Sequence, residues 1–280
     1  MRFVAIFCWL LAVVAQPAAA ASTPALRSLE RQLAALVASS PGEVGVAALD
    51  LNSGEVVSIN GDEPFPMASV VKIAIAANYL AQVENGHRSL SDRIGGRSAA
   101  SLMDAMMVRS DNHATDLLLA DLGGPRTIQA WLTQQGLTGV RIDRNIAGLL
   151  RAQRDLRDIR DSSTPRAMVE LLKRLDGGSM LKPQGRAYLL DLMRRCMTGK
   201  NRIRGLLPYG AQVANKTGTL SGLTTDVGFI TLPDGRRIAV AFFARYGSNR
   251  PSTIARAART IYDGFAAAFR APFGTALTVR

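Results

Sequence analysis

Histidine and cysteine are almost absent from this chain of 280 residues, which has two of each. With only His87 and His113, a Ser-His-Asp triad has little material, and no G-x-S-x-G elbow occurs. His87 falls in Asn85-Gly86-His87-Arg88, predicted as an exposed turn. His113 follows Asn112 and is a candidate to line the site, set against the simpler reading of a place on the helix surface or behind the site. A metal site needs clustered His or Cys ligands, and the sequence offers none, so no metal or other cofactor is expected. Cys8 lies in the first residues, which leaves Cys196 as the single thiol of a processed chain, unable to form an internal disulfide. Cys196 sits in the apolar, helix-like stretch 188–197, where a buried, inert thiol is expected. Beyond the N-terminus no apolar run is long enough to cross a bilayer.

Acidic residues are also scarce, 22 against 34 Lys and Arg, a formal charge of +12. The arginines are scattered and no nucleic-acid motif appears, so nucleic acid is not the expected partner. Attraction to an anionic cell-envelope surface fits better, beside the plainer reading of a generally basic enzyme.

The N-terminus has the form of a secretory signal. Arg2 is followed by an apolar run over 3–14, too short to span a membrane comfortably, and then by small residues at 18–21. Residues 1–21 are assigned as signal peptide and 22–280 as one domain, exported to the periplasm or medium and monomeric. At 48% hydrophobic and 20% charged, the chain has the composition to fold around a sizeable core.

Periodicity divides that domain. Residues 25–38 repeat Leu26, Leu29, Leu33, Leu36 at helical spacing. Residues 44–51 and 55–59 read as strands joined by Asn52-Ser53-Gly54. A helix apolar all round, hence a core helix, is predicted over 69–83, carrying one charge, Lys72. Helices follow at 99–108, 113–122, 126–135, from Thr164-Pro165 to about 175, and at 183–197. Strands are predicted at 212–216, 225–232 and 237–245, then a helix over 252–269. The fold class is therefore α+β. Two strand groups form one five-stranded antiparallel sheet flanked by terminal helices, an α/β lobe of 22–66 and 205–280. Residues 67–204 form an all-helical lobe, with the site in the cleft between.

Three short patterns carry chemistry. Ser69-Val70-Val71-Lys72 places a hydroxyl and an amine three apart on one helix face, at a helix N-terminus that favours negative charge. A lysine in an apolar helix loses its proton readily and serves as a base. Ser110-Asp111-Asn112 precedes a helix and alone would read as a cap. Lys216-Thr217-Gly218, followed by Thr219, alone would read as a strand end with a turn glycine.

Together and in this order they resemble the SxxK, SDN and KTG signature of the class A β-lactamases and penicillin-binding proteins. Asp143-Arg144, Arg160-Asp161, Asn201-Arg202-Ile203-Arg204 and the phrase from Thr225 to Phe229 extend the resemblance over nearly the whole processed chain. It implies a β-lactamase-like fold and an acyl-enzyme on Ser69, with Lys72 as base or proton relay. It implies that Ser110 protonates the leaving nitrogen, with Lys216 completing the catalytic set. Thr217, Gly218, Thr219 and Arg202 would hold the substrate carboxylate, Asn112 its side-chain amide, and the backbone amides of Ser69 and Thr219 the oxyanion. The implied substrate is a small-molecule β-lactam or a peptidoglycan-type D-alanyl peptide.

The chain also departs from that family. Class A enzymes carry a glutamate two residues after the Asp-Arg that opens the omega loop, and it activates the deacylating water. Here that position is Ile146, the asparagine that follows in the loop is replaced by Leu150, and no glutamate occurs over 145–160. The loop is two residues longer between Arg144 and Asp161. Asp155 and Asp158 are candidates for the vacant role, set against a simpler reading as partners of Arg151, Arg154, Arg157 and Arg160. The stretch from Lys72 to Ser110 is shortened and the usual cysteine pair is absent. The expected activity is acylation with impaired deacylation. The alternatives are a D,D-peptidase or esterase, a protein that traps acyl groups without turnover, and a structural role.

Overall fold

The structure is a computed structural model that describes residues 24–153 and 155–268. The signal-peptide assignment, Cys8 and Arg154 lie outside the described residues. Helix α1 (Pro24–Ala38) leads into strands β1 (Glu43–Asp50) and β2 (Val56–Ile59), the short β3 (Phe65–Pro66), and a 3₁₀ turn (Ala68–Val71) that runs into α2 (Lys72–Glu84). Next come β4 (Arg93–Ile94), β5 (Arg97–Ser98), α3 (Ala99–Val108), α4 (Asn112–Asp121), α5 (Pro125–Gln134), α6 (Ile146–Arg151) and β6 (Ser162–Ser163). Then α7 (Pro165–Asp176), α8 (Pro183–Arg194), β7 (Gln212–Leu220), β8 (Leu223–Thr231), β9 (Arg237–Arg245) and α9 (Arg250–Ala268) complete the order.

The sheet is five-stranded and antiparallel, in the order β2-β1-β9-β8-β7. Its alternation separates two cores. Val44, Val46 and Ala48 of β1, with Ile238, Val240 and Phe242 of β9, face α1 and α9, where Leu29, Leu33, Ile254 and Ile261 meet them. Ala47, Leu49, Ala239, Ala241 and Phe243 face the other way, into the core built by α2, α3, α4, α7 and α8. A period of two in the strands and of 3.6 in α1 produces this layering directly. The predicted α+β class and five-stranded sheet are observed.

Helix α2 is the axis of the second core, with Lys72 to Ala81 buried all round. Helix α7 packs against β1 and β9, so a segment between residues 67 and 204 also covers the sheet. Its Thr164 cap accepts from Ala167 N at 3.1 Å and Pro165 fills the first turn. Among the described residues no helix is long and apolar enough to cross a membrane.

Two local expectations are corrected. The helix predicted over 69–83 begins as the 3₁₀ turn, and α geometry starts only at Lys72. The strand predicted to end at Lys216 continues to Leu220, pairing with β8 down to Leu220–Leu223. Gly218 is thus mid-strand rather than in a turn. A β-carbon there would lie 2.4 Å from Thr225 Oγ1 and 2.8 Å from Met67 O, so the glycine is what lets β7 lie against the 3₁₀ turn.

Candidate active site

Four chain segments converge at one end of β7. Ser69 is half-buried in the 3₁₀ turn. Side chains at i and i+3 eclipse in that geometry, which stacks Ser69 and Lys72 on one edge. Ala68, just before the nucleophile position, has φ of 50°, and Ser110 has φ of 61°. Left-handed backbone at two non-glycine residues of one site costs energy that the surrounding contacts must hold. Part of that hold is visible: Met67 N donates to Asp161 O at 2.9 Å, and Thr225 Oγ1 donates to Met67 O at 3.2 Å.

Lys72 Nζ donates to Ser110 O at 2.8 Å and Asn112 Oδ1 at 2.8 Å, and lies 3.2 Å from Ser110 Oγ. Lys216 Nζ reaches the same Ser110 Oγ at 2.9 Å, and also Thr217 O at 2.8 Å. Burial, helped by the nearby Lys216 charge, brings Lys72 down to about 7 against the pull of Asp111 and Asp116. Burial brings Lys216 down to about 8. Two amines and one hydroxyl therefore form a hydrogen-bonded set able to move protons near neutral pH.

Arg202 is buried behind the outer end of β7. Its Nη1 donates to Gly218 O at 2.9 Å and Thr225 O at 3.0 Å, and its Nη2 to Thr219 Oγ1 at 2.7 Å. Burial lowers its pKa. Lys216, Thr217, Gly218, Thr219 and Arg202 are thus one cationic, donor-rich wall suited to an anion. Asn112 is exposed at the start of α4, while Asp111 caps that helix by accepting from Ala114 N at 2.7 Å.

The omega-loop anchor is an ion pair between half-buried Arg144 and buried Asp161. Arg144 Nε donates to Asp161 Oδ2 at 2.5 Å, and Asp161 Oδ1 accepts from Asp143 N at 2.8 Å and Arg144 N at 2.9 Å. Within the loop Ile146 is buried, 5% exposed, and Leu150 is exposed. Asp158 pairs with Arg160 and Arg144, and the Arg160 hydrogen bond holds its carboxyl low. Asp155 is exposed and accepts from Arg157 N at 2.8 Å. The expected arginine pairing holds for Arg160, but Arg157 pairs with Glu43 and stacks near Tyr246.

These features have counterparts among known proteins. A family model described as the β-lactamase enzyme family matches residues 28–265. The carbapenem-hydrolysing β-lactamase KPC of Klebsiella oxytoca is 34% identical over 282 residues, covering 91% of this chain and 95% of the relative. The chain belongs to the class A β-lactamase family. β-Lactamase CTX-M-8 of Citrobacter amalonaticus is 32% identical, covering 85% of this chain and 89% of its own. Among solved structures, a class A β-lactamase of the last common ancestor of Gram-negative bacteria superposes with TM-score 0.80. It has 35% identity over 85% of this chain and 99% of that one. A β-lactamase from Chitinophaga pinensis gives TM-score 0.79 at 29% identity, covering 85% and 99%. As a member of this family the chain is a serine hydrolase.

Sequence reasoning missed several polar residues of this β-lactamase site. Asp226, paired opposite Thr217 in the sheet, accepts from Asn215 Nδ2 at 2.7 Å and Ile203 N at 3.2 Å. Complete burial raises its pKa to about 7. Asp116 accepts from Ile146 N at 2.7 Å and Ala147 N at 2.9 Å, holding the start of α6. Asn112 and Asp116 are four apart on α4, which was the one available signal, since i and i+4 share a face. His87 and His113 are both exposed.

Proposed function

We propose that this protein opens β-lactam rings through an acyl-enzyme on Ser69 that is then released slowly. The observation that carries the proposal is the shared Ser110 hydroxyl, held by Lys72 and Lys216 beside the Ser69 turn. In acylation Ser69 Oγ attacks the lactam carbonyl as its proton passes to neutral Lys72. The backbone amides of Ser69 and Thr219 receive the oxyanion, a contribution of about 3 kcal/mol per donor. The C–N bond then breaks, and Ser110 Oγ gives its proton to the departing nitrogen while a lysine restores it. Lys216, Thr217, Thr219 and Arg202 hold the carboxylate, and Asn112 the side-chain amide.

Slow release is supported by Ile146, an alkyl side chain where class A enzymes place their base, and by the engagement of Asp155 and Asp158 elsewhere. Loss of a general base costs about a hundred- to ten-thousand-fold in the step it serves. The same features support a second reading, a D,D-peptidase or esterase, because acylation needs only the Ser, Lys and Ser groups. Export to the periplasm is part of the proposal and rests on the sequence pattern of the first 21 residues.

Intact-protein mass spectrometry of the processed chain mixed with a penicillin, with Ser69→Ala as control, tests it. A long-lived adduct absent from the variant is the expected result. A brief adduct with accumulating product overturns slow release. With neither adduct nor product, β-lactam chemistry falls and esters and wall peptides take its place.

A further inference from the structure

The segment 196–202 runs behind the KTG strand and carries two polar side chains away from solvent that the mechanism above does not use, Cys196 and Thr198. Cys196 Sγ lies 3.3 Å from Thr198 Oγ1 and 3.8 Å from Thr198 O. Thr198 Oγ1 is in turn hydrogen-bonded to Thr217 Oγ1. Cys196 and Thr217 are both buried, at 7% and 3% exposure. The close approach depends on Gly199, at φ of 63°, where a β-carbon would lie 2.7 Å from Thr217 Cγ2 and 2.9 Å from Arg202 Cδ.

We propose that Thr198 is a positioning residue for Thr217, and that Cys196, Thr198 and Thr217 form a one-way chain of donors ending at the substrate carboxylate. The inference rests on the reading of Thr217 as a carboxylate ligand. Its logic is the count of protons. A carboxylate only accepts, so Thr217 must spend its single hydroxyl proton on it. The Thr198–Thr217 bond then has one remaining direction, with Thr198 donating. Having spent its own proton, Thr198 is left to accept, and the Cys196 S–H is the donor beside it. Each bond in such a chain polarises the next toward the anion. With the opposite order Thr217 would turn a lone pair on the incoming group. The chain therefore selects substrates bearing a free carboxylate over their neutral esters, without either Thr198 or Cys196 touching the substrate.

The test compares acylation of the wild-type protein, Thr198→Val, Thr198→Ser, Cys196→Ala and Thr217→Val by a penicillin and by its methyl ester. Saturation kinetics separate the affinity of the encounter complex from the limiting acylation rate, and thermal melting checks that each variant is folded. Thr198→Val is expected to weaken affinity for the free acid by about three- to tenfold. The limiting rate and the ester are expected to change less than twofold, and Thr198→Ser to restore the free-acid affinity. Cys196→Ala is expected to move in the same direction by a smaller factor, because S–H is the weaker donor. Equal losses for acid and ester in Thr198→Val, or no loss while Thr217→Val loses acid affinity alone, overturn the donor chain and leave the carboxylate reading intact. If Thr217→Val itself fails to discriminate acid from ester, the carboxylate reading falls, and the chain with it.

Discussion

Lys72 and Lys216 hold the same hydroxyl: their Nζ atoms stand 3.2 and 2.9 Å from Ser110 Oγ. Two buried cations that share a partner oppose each other's protonation, and they titrate as a pair. In the proposed mechanism one must be neutral to accept the Ser69 proton, while the other must stay charged to face a carboxylate. Burial places Lys72 at about 7 and Lys216 at about 8, the order that this division of labour requires.

The acylation rate constant should therefore rise with pH through about 7, as Lys72 loses its proton, and fall through about 8, as Lys216 loses its charge. A bell-shaped profile of second-order acylation rates checks this. A rate that keeps climbing past pH 9 would count against Lys216 as the charged partner. Folding responds separately. Between about 7 and 10.5 the unfolded chain holds a proton on Lys72 that the folded chain has lost. That penalty on stability is full below pH 7 and fades as pH rises toward 10.5.

Ile146→Glu should shorten the acyl-enzyme lifetime. The backbone amide of residue 146 is already tied to Asp116 at 2.7 Å, so the new carboxyl enters on an anchored segment. A general base is worth about a hundredfold or more, and the decay of the penicillin adduct by mass spectrometry reads it. An unchanged lifetime would mean that the loop, two residues longer here, carries its backbone away from the acyl group.

Asp161→Ala should destabilise the protein by about 3 kcal/mol, because it leaves the Arg144 guanidinium and two backbone amides without their shared acceptor. Asp161→Asn keeps an oxygen for the amides and should cost less. Denaturant unfolding measures both. Equal losses in the two variants would place the effect in the charge pair rather than in the amides.

Gly218→Ala should impair acylation and cost about 1–3 kcal/mol of stability, since the added carbon meets Met67 O and Thr225 Oγ1 well inside contact distance. Pushing β7 off the 3₁₀ turn separates the Ser69 and Thr219 amides, so the limiting acylation rate should fall along with the melting temperature. A drop in melting temperature alone would detach the close approach from catalysis.

The sequence by itself determined the long helices, the five strands of the main sheet and the candidate nucleophile, but not α6 or the two-residue strands β3 to β6. Period-two alternation in 237–245 states which residues face each core, and Leu26, Leu29, Leu33 and Leu36 define a helix face, because both are properties of neighbours along the chain. The three motifs likewise declared their chemistry without coordinates. Tertiary structure alone decided that Lys72 and Lys216, 38 and 106 residues from Ser110, meet on its hydroxyl. It also decided that Gly218 is a point of close approach inside a strand rather than a turn, because β7 runs on only by pairing with β8. Asp226 and Thr198 gave no signal for the same reason, and Asp116 gave only its i, i+4 spacing from Asn112. Each works through a partner far away in sequence, and local periodicity records which way a side chain faces, not what folding brings opposite it.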